Sequence, residues 1–149
     1  MRILRITPSF ASFTNPGSGT NSYFHSKFSK YKSYILTEDR NLNYLEFGKN
    51  VDLKPIKTFR SNLGEIDDNK FIFKLFNKFI STIIFTSKSL KYIHSVKPNI
   101  VHLYSPIYIF TAFYCKILYR SKIALTIHGT DGLRIKKFKF LNFILNLTD

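Results

Sequence analysis

A histidine and an aspartate follow an apolar stretch near the end of the chain. Residues 123–127 are apolar or β-branched without alternation, which predicts a strand buried on both faces of a parallel sheet. The polarity changes at His128, and Gly129, Thr130 and Asp131 come next. Because α/β proteins bind ligands at the carboxyl ends of parallel strands, these four residues are candidates for a site. The alternative is structural, with His128 ending the strand and Asp131 capping the next helix.

A second candidate is a glycine-bearing loop, Asn15-Pro-Gly-Ser-Gly19, which follows the first apolar stretch at residues 2–7. Glycine lets the backbone approach a ligand closely, and Thr20 or Asn21 can cap a following helix that we expect to end near Lys30. Unpaired amides at the start of such a helix can bind phosphate. An ordinary turn would have the same composition, so both interpretations stay open.

The cysteine and histidine content excludes several other kinds of site. The chain has one cysteine, Cys115, which excludes an internal disulfide and a cysteine-based metal cluster. Its four histidines are His25, His94, His102 and His128. They have no metal-ligand spacing, so we expect no bound metal.

The elements that position the candidate residues alternate along the chain. Apolar stretches predict strands at 2–7, 33–37, 100–104 and 122–127, with one or two short strands between 42 and 60. Helical spacing and capping residues predict helices at about 20–30, 70–96, 107–119 and 136–147. This order predicts one α/β domain over residues 1–149, a doubly wound, mostly parallel, Rossmann-like sheet with helices on both faces. Another strand would normally follow the last helix, so we expect a truncated part of a larger protein.

The charge of the chain favours anionic partners. The formal net charge is +14, and no carboxylate occurs between Asp68 and Asp131. Nucleic acid, an acidic membrane surface and a phosphate-bearing small molecule all fit this field. A biased genome would also enrich lysine, so composition does not choose among them. We find no nucleic-acid recognition motif, which disfavours that partner.

The helix predicted at 70–96 has two interpretations. Apolar residues including Phe79 and Ile83 recur at helical spacing, and lysines including Lys88 and Lys91 lie mostly on the other side. This pattern is typical of a helix packed on a sheet, and also of an amphipathic surface that touches anionic headgroups. With no signal peptide and no apolar run long enough to span a membrane, we expect a cytoplasmic protein, and peripheral contact with the inner face of the cell membrane stays open.

Three segments, in this order, resemble the amino-terminal lobe of family 4 glycosyltransferases, which are retaining enzymes with two Rossmann-like lobes. They are Met1-Arg-Ile-Leu-Arg-Ile-Thr-Pro-Ser9 with its glycine loop, Lys97-Pro-Asn-Ile-Val-His-Leu-Tyr-Ser-Pro106, and Leu125-Thr-Ile-His-Gly-Thr-Asp131. The first loop has Gly-Ser-Gly where the family usually has adjacent glycines.

The resemblance implies a role for each matching residue. His128 would contact the transferred sugar as the catalytic residue. The donor diphosphate would lie near the first loop, and the acceptor near the ends of two later strands. The implied diphosphate residues are Gly17, Ser18, Gly19 and Thr20, and the implied acceptor residues are His102, Tyr104, Ser105, Gly129, Thr130 and Asp131.

The resemblance also implies the substrates and partners. A nucleotide-diphosphate sugar would donate a hexose to a lipid, polysaccharide or small acceptor, without metal or other cofactor. The donor-binding lobe of the family, with its paired glutamates, has no counterpart in these 149 residues, so the lobe alone is expected to be inactive. The alternative is a non-catalytic basic α/β module that binds acidic membranes or nucleic acid.

Overall fold

Five strands form one sheet in the computed structural model, which describes residues 1–10, 18–38, 50–58 and 71–127. The strands are β1 (Ile3–Thr7), β2 (Ser33–Glu38), β3 (Val51–Ile56), β4 (Ile100–Leu103) and β5 (Lys122–Leu125). The helices are α1 (Ser18–Lys27), α2 (Phe71–Val96) and α3 (Ile109–Tyr119), with a 3₁₀ helix at Pro106–Tyr108. The predicted α/β class is confirmed. The helix predicted at 136–147 lies outside the described residues.

All strand pairs are parallel, in the order β3-β2-β1-β4-β5. β1 is central, and all five of its residues are buried, as expected for a parallel strand covered on both sides. The register pairs Arg5 of β1 with Ile35 of β2 and with His102 of β4. β3 pairs with β2 alone within the described chain, and this edge position tolerates Pro55, which has no N–H to donate.

The main apolar core lies between the sheet and helices α2 and α3. Its sheet residues include Leu4, Ile6, Val101 and Leu103, and its helix residues include Phe85, Ile93, Ala112 and Cys115. Burial raises the pKa of the Cys115 thiol to about 12, so that this thiol stays protonated and unreactive at neutral pH.

A smaller apolar cluster involves α1. Phe10 and Ile35 are buried there, with Tyr23 of α1 and two residues of β3 packed against them. Leu4 and Ile6 contribute to the main core, whereas Arg5 contacts α1. Because neighbouring side chains in a strand point to opposite faces, these two sets of contacts belong to opposite faces of β1. The central strand therefore has one apolar face and one face that carries a charge.

Local hydrogen bonds and backbone conformation determine where the helices begin and end. α1 ends at Lys27, where the amides of Phe28 and Ser29 bond to Phe24 and Ser26 carbonyls and tighten the last turn. α3 ends at Tyr119, and the next residue, Arg120, adopts the left-handed conformation with φ of 52°. The predicted helix at 107–119 is observed as a 3₁₀ turn, in which the Ile109 amide donates to the Pro106 carbonyl, followed by α3.

Core packing leads to a stability prediction. Leu103 is fully buried in β4, so Leu103→Ala would leave a cavity between the sheet and α2 and α3. We expect the free energy of unfolding to fall by about 2–5 kcal/mol, measured by denaturant titration. The matched control is Leu118→Ala on the exposed side of α3, where we expect less than about 0.5 kcal/mol. Similar losses for the two variants would contradict this position of the core.

Candidate functional site

The strand order changes direction between β1 and β4. The chain leaves β1 toward β2 and β3 on one side, and it returns to β4 and β5 on the other. In open parallel sheets this change of direction separates the connecting segments and opens a ligand crevice at the carboxyl ends of the two strands. The carboxyl ends of β1, β4 and β5 are neighbours in the sheet. The segments after these three strands carry the candidate residues.

The described structure includes six of the eleven candidate residues. Ser18, Gly19 and Thr20 form the first turn of α1, so this helix begins two residues before Thr20. His102 belongs to β4, and Tyr104 and Ser105 follow that strand directly. The others lie outside the described residues: Gly17, His128, Gly129, Thr130 and Asp131.

His102 and Tyr104 meet around a buried arginine that sequence reasoning did not select. Arg5 is only 7% exposed. Its Nη1 donates to His102 Nδ1 at 3.0 Å and to the Tyr104 hydroxyl at 3.2 Å. Its Nε donates to Ser33 Oγ at 3.3 Å, and its Nη2 donates to the His25 carbonyl at 3.1 Å. We call these five residues, Arg5, His25, Ser33, His102 and Tyr104, the Arg5 cluster.

The contact with Arg5 assigns the tautomer of His102. A guanidinium has donors only, so His102 Nδ1 must accept with its lone pair. The neutral imidazole then carries its proton on Nε2, which lies 2.7 Å from Thr126 Oγ1 and donates to it. The arginine in β1 therefore orients a histidine in β4, and that histidine contacts Thr126 after β5. Thr126 precedes the candidate residue His128 by two positions.

Tyr104 connects the cluster to α1. Its ring packs against the His102 ring with 4.3 Å between centroids and a tilt of 31° between the planes, and its hydroxyl lies 2.7 Å from His25 Nδ1 in the last turn of α1. Burial raises the pKa of the Tyr104 hydroxyl to about 12, and the nearby Arg5 opposes this shift. The hydroxyl therefore stays protonated at neutral pH and can act only through hydrogen bonds.

The cluster has positive charge without a neutralising partner in the described chain. All four acceptors of Arg5 are neutral groups, and the described residues include no carboxylate that pairs with it. A buried charge is costly when no opposite charge lies nearby. The same described ranges contain no group of three His, Cys, Asp or Glu side chains arranged to hold a metal ion. The arrangement is suited to contacts with an anion.

Four residues of this site were not predicted from the sequence: Arg5, His25, Ser33 and Thr126. The one available signal was Arg5 itself, a charged residue within a strand that is otherwise apolar. Charged residues are almost never fully buried unless they are paired, so such a position indicates a function. The other three residues become neighbours of Arg5 or His102 only through the strand register and the position of α1.

No protein-family model and no curated protein matches the sequence. Any function assigned to the chain therefore depends on its own residues and their geometry.

Tyr104→Phe tests the hydrogen bonds of the cluster. The change removes one hydroxyl, which leaves an Arg5 N–H and His25 Nδ1 without this partner. We expect the free energy of unfolding at pH 7 to fall by about 1–3 kcal/mol in denaturant titrations. Tyr31→Phe, on an exposed ring, is the control and should change it by less than about 0.5 kcal/mol.

The pH dependence of the same pair of proteins gives a second readout. The unfolded tyrosine ionises near pH 10 and folded Tyr104 near pH 12, so the wild type loses stability as pH rises through this window. Tyr104→Phe has no hydroxyl to ionise and does not lose stability in this way. The difference in free energy of unfolding between the wild type and Tyr104→Phe should therefore narrow above pH 10. A difference that stays constant or widens would contradict the buried position of the hydroxyl.

Proposed function

We propose that this chain is the acceptor-side lobe of a retaining glycosyltransferase that uses a nucleotide-diphosphate sugar. The supporting observation is the strand order. The three segments that resemble family 4 glycosyltransferases end at β1, β4 and β5, whose carboxyl ends are neighbours in the sheet. Segments that are distant along the chain are therefore attached beside one crevice, where α/β proteins bind their ligands.

The proposed roles follow from position and chemistry. The start of α1 at Ser18 supplies backbone amides and the positive end of a helix dipole for the donor diphosphate. His128, two residues after Thr126, contacts the transferred sugar. His102, Tyr104 and Ser105 lie on the acceptor side, where Arg5 orients the first two.

In the proposed reaction, the bond between the sugar C1 and the diphosphate oxygen breaks and a bond to an acceptor oxygen forms. The diphosphate leaves with the bonding electrons, and the acceptor hydroxyl passes its proton to an oxygen of that leaving diphosphate. Negative charge grows on the leaving group, so backbone amides and cations that face it lower the barrier. We propose that a second lobe, outside these 149 residues, binds most of the nucleotide.

His128→Ala tests the proposed catalytic residue. The polypeptide that carries this chain in the cell is assayed for release of UDP or GDP from UDP-glucose, UDP-N-acetylglucosamine and GDP-mannose. We expect the variant to lower kcat by about 10²- to 10³-fold, because a polar group that contacts the reacting sugar stabilises the transition state. The control is His94→Ala, an exposed histidine of α2 that contacts Tyr114 and Tyr119, with kcat expected within about twofold of wild type.

Two outcomes would count against sugar transfer. If the wild type releases no nucleoside diphosphate from any of the three donors, the reaction is not the one proposed. If His128→Ala and His94→Ala have the same kcat, His128 does not act in it.

A second candidate function, binding to an acidic membrane surface, is supported by an apolar stripe on α2 and α3. Phe79 of α2 and Phe110 and Ile117 of α3 are 54%, 55% and 62% exposed. Ile83 and Phe113 continue the stripe, and the hydroxyls of Thr86 and Thr111, 2.8 Å apart, join the two helices. A groove of about 250 Å³ between the helices is lined partly by Phe79, Ile83 and Phe110.

Charge favours acidic lipid as the occupant of this stripe. The segment from 71 to 127 contains no Asp or Glu, and Lys88, Lys91 and Lys116 lie on the same two helices. Each basic residue near an anionic membrane contributes about 1 kcal/mol of attraction, and inserted aromatic rings add apolar burial. In the described part of the chain, no helix is both long and apolar enough to cross a membrane, so the proposed contact is peripheral.

Phe110→Ser tests this surface in flotation assays with phosphatidylserine-containing vesicles. We expect binding to weaken by about tenfold, since an inserted phenyl ring contributes about 1.5 kcal/mol or more. Phe28→Ser is the matched control, because Phe28 is even more exposed, at 76%, but lies just after α1. Equal binding to neutral phosphatidylcholine vesicles, or equal losses for the two variants, would contradict the proposal.

A further inference from the structure

A cavity of about 370 Å³ opens beside the Arg5 cluster, between the second half of α1 and strands β1 and β4. It is lined by Arg5, Phe24, His25, Phe28, Ser29 and His102. This volume is within the usual range for a small-molecule site. The cavity runs along the later turns of α1, whereas the proposed sugar crevice is at the carboxyl ends of the strands.

Arg5 gives this cavity its chemical character. A guanidinium has five N–H donors and is always charged. The contacts of Arg5 with Ser33, His102, Tyr104 and the His25 carbonyl use four of them, and all four acceptors are neutral. Among the described residues no acceptor contacts the second N–H on Nη2, which can bond to a further acceptor. The positive charge is not balanced by any carboxylate of the described chain, so an oxyanion would relieve the cost of burying it.

The side chains that line the cavity determine which chemical group a bound oxyanion can carry. The rings of Phe24 and Phe28 stack with centroids 6.1 Å apart and planes 5° from parallel. The rings of His25 and His102 stack at 5.7 Å. Four planar rings and one guanidinium therefore belong to the described lining of the cavity. Such walls favour a flat apolar or aromatic group next to the anion.

We infer that the cavity beside Arg5 binds a small molecule that joins an oxyanion, phosphate or carboxylate, to a planar apolar group. The oxyanion accepts from Arg5 Nη2, and the planar group lies against the rings of α1 and β4. This inference does not depend on sugar transfer, because it requires neither His128 nor a second lobe, although Arg5 and His102 line the cavity and also belong to the proposed acceptor side.

The first test is a titration of the full chain with simple probes, followed by isothermal calorimetry and histidine NMR. The probes are phenyl phosphate, benzoate, inorganic phosphate and benzyl alcohol. We expect phenyl phosphate or benzoate to bind about tenfold more tightly than inorganic phosphate, and benzyl alcohol not to bind. The ring signals of His25 and His102 should shift on binding, whereas those of His94 on α2 should not.

The matched variants add one negative charge inside or outside the cavity. Ser29→Asp places a carboxylate in the cavity and should weaken binding of the better aromatic anion by at least about tenfold. Ser29→Asn adds a side chain of the same size as Ser29→Asp without the charge, and should bind more tightly than Ser29→Asp. Ser95→Asp adds the same charge at an exposed position of α2 and should bind within about twofold of wild type. Circular dichroism confirms that each variant is folded.

Several results would overturn the inference. These are the absence of His25 and His102 shifts at saturating phenyl phosphate and benzoate, benzyl alcohol binding as tightly as the aromatic anions, and unchanged binding in folded Ser29→Asp. Should Ser29→Asp fail to fold, the wild-type NMR titration decides the question alone. Loss of nucleotide-sugar turnover in the separate assay would leave this result unchanged.

Discussion

The buried guanidinium of Arg5 is the constraint on which the polar face of this sheet depends. The Arg5 side chain lies in the central strand and is only 7% exposed, so its charge needs hydrogen-bond acceptors from the elements around it. Ser33 of β2, His102 of β4, Tyr104 after β4 and the last turn of α1 supply them. Because Arg5 can only donate, it also assigns the tautomer of His102 and so directs an imidazole N–H toward Thr126. One side chain of β1 thus connects β2 and β4 to α1.

The opposite face of β1 is apolar and belongs to the main core. Leu4 and Ile6 pack with Val101 and Leu103 against α2 and α3, and this apolar core supplies most of the stabilisation. Such a core holds the register of β1 against β4 in place, since a slip of one residue would exchange the two faces. The stability of the apolar face therefore keeps Arg5 beside His102. This division explains how a fold can tolerate a costly buried charge where a ligand could use it.

Much of the fold could be predicted from the sequence, because apolar runs and helical spacing are local signals. The long helix was expected at 70–96 and is observed at Phe71–Val96, and the strand at Ile100–Leu103 was expected at 100–104. The site was less accessible to such reasoning. Arg5 and His102 are 97 residues apart, and only the pairing of β1 with β4 brings them together. His102 and Tyr104 were chosen because they end a strand, whereas their partners Arg5 and His25 carry no motif. Gly17 and His128 lie outside the described residues, so their proposed roles stay predictions.

The most direct measurement of the central claim is the tautomer of His102 by long-range ¹H–¹⁵N correlation at neutral pH. If Arg5 Nη1 donates to Nδ1, the spectrum shows a neutral ring protonated on Nε2, with an Nδ1 shift typical of an accepting nitrogen. Exposed His94, which has no arginine contact among the described residues, serves as the internal reference. A His102 ring protonated on Nδ1, either as the other tautomer or as the imidazolium, would contradict the proposal that Arg5 organises this site.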